Sequence, residues 1–191
     1  MAVLKALTGW KRGGAAALAL GLAATFGSPA LGQPSALETA VKATYLYKLA
    51  PFVTWPSGAL AEGAPFAICV VGSDPFGAVL DRAVAGQAVG SHPIVVRRLG
   101  RADPAAACPM MYLGGSRAQP VKDALRALKG LPVLTVTDGP GAAGVVDFAV
   151  VDGRVRLRID DQAAAEGGLV ISSKLLSLAL SVRPRGAGAN P

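Results

Sequence analysis

Six consecutive residues, Phe66-Ala67-Ile68-Cys69-Val70-Val71, offer no polar face, and Gly72-Ser73-Asp74-Pro75 stops the run. A strand of this kind is buried on both sides, as in parallel sheets whose two faces are covered by helices. The flanking segments fit that demand. Ser73 or Asp74 can cap a following helix with Pro75 in its first turn, and Phe76, Val79, Leu80 and Val84 mark its apolar face. Upstream, Leu37, Val41, Tyr45 and Leu49 recur every fourth residue and predict a helix over 38–53, broken by Pro51 and Pro56. Downstream, strands are predicted over 93–99, 110–113 and 133–137, with a helix over 120–128 between the last two. This alternation defines the fold class as α/β: a single-domain sandwich with a mixed, mostly parallel sheet of about six strands and helices on both faces.

The last two strands behave differently. Segments 145–151 and 154–159 flank Asp152-Gly153, the favoured pair for a two-residue hairpin turn. Such a turn sets Val150 opposite Val155, Phe148 opposite Leu157 and Asp147 opposite Arg158. One face gathers Val146, Phe148, Val150, Val155, Leu157 and Ile159, and the other carries Arg154, Arg156 and Arg158. A slip of one residue would bury three arginines, so the register of this C-terminal antiparallel hairpin, read as a half-buried edge, is well determined. Beyond it, Asp160 or Asp161 can cap a helix over 162–166 that Gly167-Gly168 ends, and Ser172 or Ser173 can cap a last one.

The first 32 residues have the form of an export signal. Lys5, Lys11 and Arg12 precede a 12-residue apolar run from Ala15 to Phe26, and Ala30-Leu31-Gly32 offers a small-x-small site for cleavage before Gln33. The run is short of the about 20 residues that span a bilayer. The chain therefore divides into a signal peptide (1–32), an α/β domain (33–182) and a disordered tail (183–191). Three of the 19 basic residues and no acidic one lie in the signal, so the formal charge falls from +7 to +4. Scattered arginines without interleaved aromatics, on an exported chain, exclude nucleic acid as a natural partner.

Chemistry-bearing residues are few. Export gives meaning to the two cysteines, Cys69 and Cys108, because an oxidising compartment permits a disulfide between them. Three readings stand: a structural staple, which is favoured, a redox-responsive bond, and two buried free thiols. His92, the single histidine, stands beside Pro93 at a strand start and reads as a surface or loop residue. With one histidine and two separated cysteines a structural zinc site is not expected, and no cofactor is implied. There is no nucleophile elbow and no phosphate loop, so no catalytic residue is assigned and the chain is read as a non-enzyme. What remains is surface. Phe52 and Trp55 are candidates for an aromatic partner-binding patch, with packing beneath the first helix the more ordinary role. Arg154, Arg156 and Arg158 could meet an acidic partner, with solvated charge as the default.

Taken in order, several segments resemble the YfiR-like family of exported bacterial proteins. They are Val41-Lys42-Ala43-Thr44-Tyr45-Leu46-Tyr47 with Phe52-Val53-Thr54-Trp55-Pro56, then Ile68 to Gly77, Val95 to Leu99, Leu134 to Asp138, and the closing Gly168-Leu169-Val170-Ile171-Ser172-Ser173-Lys174-Leu175-Leu176. The resemblance covers roughly residues 37–182. It implies a periplasmic repressor that binds the periplasmic sensor domain of an inner-membrane diguanylate cyclase, lowers cyclic di-GMP and restrains biofilm formation. It also implies an OmpA-like outer-membrane lipoprotein that sequesters the repressor, and sensitivity to reduction; apart from the resemblance, a homodimer is a further candidate assembly. Two departures stand out: the second, C-terminal cysteine pair of redox-responsive members is absent, and Ile159-Asp160 replaces a common Ile-Asn. The alternative function is a periplasmic small-ligand or sensory module, with Gly72-Ser73-Asp74 and Asp138-Gly139 lining a crevice at the carboxyl ends of the strands.

Overall fold

The computed structural model describes residues 35–139, 141 and 143–186. The expected signal segment and the last five residues of the expected tail lie outside them.

Ser35 opens helix α1 (Ala36–Leu49): its Oγ accepts a hydrogen bond from the Glu38 N–H at 3.1 Å, and the Glu38 carboxylate sits in the positively polarised first turn. The helix stops at Leu49, four residues short of its predicted end. Pro51 has no N–H to continue the ladder, so Ala50–Phe52 tightens into a 3-10 turn before strand β1 (Val53–Thr54). The apolar run forms β2 (Phe66–Gly72), buried along nearly its whole length. Helix α2 (Ala78–Val84) starts later than predicted. The Asp74 carboxylate accepts from the Phe76 and Gly77 N–H groups in a turn ahead of the helix, and Gly77, at φ 46°, is the residue that enters it. Then follow β3 (Ala88–Val89), β4 (His92–Leu99), β5 (Met110–Gly115), α3 (Val121–Leu128), β6 (Leu134–Asp138), β7 (Val146–Val151), β8 (Arg154–Asp160), α4 (Asp161–Glu166), β9 (Val170–Ile171), α5 (Ser173–Leu178) and β10 (Ser181–Arg183). Of the proposed capping residues, Asp160 caps α4 and Ser172 caps α5.

The main sheet has eight strands in the order β10-β8-β7-β6-β5-β2-β4-β3. Strands β4, β2, β5, β6 and β7 run parallel, and β8 returns antiparallel to β7. The hairpin register is the predicted one, with Asp147 opposite Arg158, Phe148 opposite Leu157 and Val150 opposite Val155. The six strands legible in the sequence are all present. The two extra ones, β3 and β10, are two and three residues long, too short to leave a period. Strand β10 pairs parallel with β8 over Arg158–Asp160, so the hairpin is an open edge only towards its turn. It also carries Arg183, and Arg185 is bonded to Asp161, inside the segment that composition suggests as a tail. A separate two-stranded sheet, β1 with β9, ties the end of α1 to the chain before α5.

The sheet separates two unequal apolar layers. Phe66, Ile68 and Val70 of β2 point into the larger, with Leu46 of α1, Leu80 of α2, Phe148 of β7 and Leu175 of α5. Ala67, Cys69 and Val71 point into the smaller, which α3 covers through Ala124 and Leu128 and the segment before β5 through Ala102 and Cys108. Beyond α3 this second face is polar. Thr135 Oγ1 accepts from the Val145 N–H, Thr137 Oγ1 donates to Asp147, and Arg158 reaches the same carboxylate at 3.3 Å.

Candidate functional site

Layer geometry leaves its larger opening over the hairpin. On the larger face, α1 and α5 both lie over the β7–β8 hairpin, and between them runs a groove of about 900 Å³. Val155, Leu157 and Val150 line it from the hairpin, Leu37, Val41 and Tyr45 from α1, and Leu175 and Leu178 from α5. Three of these side chains are unusually open for their type: Leu37 is 74% exposed, Leu178 62% and Val150 49%. Exposed apolar residues scattered singly need no explanation, but a contiguous set lining a concavity marks an interaction site.

The groove's charge is one-sided. Lys48, Arg154 and Arg156 line it and have no ion pair among the described residues. Its one carboxylate, Glu38, is paired with Lys42, which lies 4% exposed between Glu38 and Asp138 and bonds the latter at 2.6 Å. Burial works against the Lys42 charge, but the hydrogen bonds and fields of Asp138 and Glu38 outweigh it and hold its pKa above the ordinary lysine value. This ion triad fastens α1 to the carboxyl end of β6 and so fixes one wall of the groove.

The residues singled out in the sequence separate. Phe52 lines the inner end of the groove, with the Lys174 ammonium 5.9 Å from its ring centre. Arg154 and Arg156 line the groove from the hairpin edge, whereas Arg158, on the same strand face, bonds Asp147 and does not line it. Trp55 lies away from the groove: its Nε1 donates to the Pro109 carbonyl at 3.1 Å and its ring meets Phe66 edge to face. His92 opens β4, pairs with Val89, and places Nδ1 2.7 Å from the Ala64 carbonyl. Leu37, Lys48, Val150 and Leu178 were not marked by their sequence context. Val150 sits on the hairpin's apolar face, and only the gap between two helices leaves it uncovered.

Cys69 and Cys108 are bonded, with Cα atoms 6.1 Å apart and both residues buried in the smaller layer. Cys108 follows Ala107, whose left-handed φ of 48° ends a short turn and brings the chain onto β5 beside β2. No described helix is long and apolar enough to cross a membrane.

At the carboxyl ends of the strands, where a ligand crevice is expected, the polar groups are already used. The Ser73 N–H donates to the Gly115 carbonyl at 2.8 Å, and a Cβ on Gly114 would stand 1.9 Å from the Ser73 oxygen. Backbone therefore lies directly on backbone between β2 and β5. Asp74 holds Arg98, which also bonds Asp81, and Asp138 holds Lys42. Burial favours protonating Asp74, yet Arg98 and the Phe76 and Gly77 N–H groups outweigh it and keep the carboxyl below its usual range.

The α/β domain thus combines an internal disulfide on one face of its sheet with an open, basic-rimmed apolar groove on the other. Residues 39–180 match the YfiR/HmsC-like family, and the chain belongs to that family. Its members are periplasmic regulators of cyclic di-GMP signalling. No curated protein matches the chain.

Proposed function

We propose that this protein restrains a membrane diguanylate cyclase by binding the enzyme's periplasmic sensor domain, and that the groove between α1, the hairpin and α5 is the contact surface. The observation that carries this reading is the groove itself: a contiguous apolar concavity with three uncompensated cations, in a family of periplasmic regulators. Repression is then a population shift. The protein binds the inactive arrangement of the sensor domain more tightly than the active one, and the inactive arrangement accumulates in proportion to that difference. An OmpA-like lipoprotein would relieve repression by withdrawing the repressor.

The test combines a cell measurement with a binding one. Deleting the gene should raise cyclic di-GMP, and the wild-type gene should restore it while Leu37→Asp/Leu178→Asp does not. The purified protein should bind the periplasmic domain of the cyclase whose output changes. Unchanged cyclic di-GMP after deletion, with no binding to any periplasmic sensor domain of the organism's cyclases, would reject the reading.

A further inference from the structure

We infer that the groove receives a single amphipathic helix from the partner, with its apolar stripe on the hairpin and acidic residues towards the Arg154–Arg156 side; this rests on the reading of the groove as the regulatory contact. The shape points to a helix. The groove is a vacancy in a helix layer, walled by helices α1 and α5 and floored by a sheet. Its α1 wall has 14 residues, a length of about 21 Å, which matches about four turns of an added helix. Helices in such a layer pack at about 8–10 Å between axes, so one more fits beside α1 where two would not.

The charge selects the helix. A helix laid in an apolar groove presents anchors at i, i+3, i+4 and i+7, and residues flanking that stripe lie against the rim. Here the rim offers Lys48, Arg154 and Arg156, while Glu38 is occupied by Lys42. A basic helix would meet three like charges and gain no carboxylate; an acidic one gains on every contact. An extended segment has a competing place, the unpaired edge of β8 near its turn, because β10 pairs only with Arg158–Asp160. A strand there would use backbone hydrogen bonds and leave Leu37 and Leu178 open. The helix covers them.

The experiment is photocrosslinking in the intact organism, with p-benzoylphenylalanine in place of Leu178 and, as control, of Glu62 on a distant loop. Mass spectrometry should identify one captured segment, helical in its own fold, with acidic residues beside an apolar stripe. Arg154→Glu/Arg156→Glu should lower its capture at least tenfold, and Glu→Arg in the captured segment should restore it. Capture of an extended or basic segment, of lipid, or of the chain's own residues 1–34 would overturn the inference, as would yields at 178 no greater than at 62. If an acidic helix is captured and reversed by charge but comes from a protein other than a cyclase, the groove inference holds and the cyclase reading fails. If a cyclase binds with groove variants unaffected, the opposite follows.

Discussion

The two faces of the central sheet are built by different means. Among the described residues, the larger layer joins four helices and both sheets through twenty-five buried apolar residues, whereas the smaller has nine, beneath α3 and the segment that leads into β5. Buried apolar area is the main favourable term in folding, so the smaller layer holds its strands less firmly by packing. The disulfide lies there and joins β2 to the start of β5. The larger face, with packing to spare, can leave a gap between α1 and α5. One face is stapled, and the other carries the larger opening.

Breaking the staple should have the largest effect. Cys69→Ala/Cys108→Ala opens a loop closed across 39 residues, for which the chain-entropy estimate is roughly 4 kcal/mol. Urea unfolding of the variant, or of the reduced wild type, measures it. A loss below about 1 kcal/mol would mean that α3 holds its face unaided.

Next is the triad that sets the groove wall. Lys42→Met leaves the Glu38 and Asp138 carboxylates without their cation. Removing one partner of a fully buried pair costs about 3–5 kcal/mol; these carboxylates are 23% and 21% exposed, so about 2 kcal/mol is expected. Hydrogen exchange should show the loss concentrated in α1, and uniform loss would deny the triad its local role.

Smaller effects separate two aspartates by sign. Asp74 has its folded pKa held below the ordinary value. Its contribution is therefore complete above that value and disappears as pH falls through the folded pKa. Asp74→Asn should cost about 0.5–1 kcal/mol at pH 7, the modest figure reflecting the exposure of Arg98. Burial pushes Asp147 the other way, against the hydrogen bonds of Thr137 and Arg158. Its ionisation opposes folding, a cost absent below the ordinary carboxylate value and complete above the raised one. Asp147→Asn should thus stabilise at pH 7. The same sign for both variants would show that burial does not dominate at Asp147.

Much of this architecture was legible because period and turn chemistry agree. Phe66 to Val71, a short apolar run stopped by turn residues, read as a two-sided strand, and Asp152-Gly153 with its flanking alternation set a register that the structure reproduces pair by pair. The cysteine pair was readable as a candidate, and the joining of β2 and β5 in one sheet supplies the proximity that sequence could not. Helix ends were less legible, since the Asp74 turn and the Pro51 break both depend on which backbone groups remain free. The groove was the least legible. Phe52, Arg154 and Arg156 were marked and do line it, but Trp55 and Arg158 were equally plausible on composition and do not. Nothing local distinguishes Val150, left open by a gap between two distant helices, from Phe148, which is buried.

One titration separates the two faces: the periplasmic sensor domain of the proposed partner cyclase is titrated with wild-type protein, Leu37→Asp/Leu178→Asp and Cys69→Ala/Cys108→Ala, each with a melting curve. Leu37 and Leu178 are exposed, so each substitution should shift stability by no more than about 0.5 kcal/mol. If the open face carries function and the stapled face stability, the groove variant melts near wild type but binds at least tenfold more weakly. The cysteine variant, below its own melting temperature, binds as wild type. A groove variant that binds with undiminished affinity would contradict this division of the molecule.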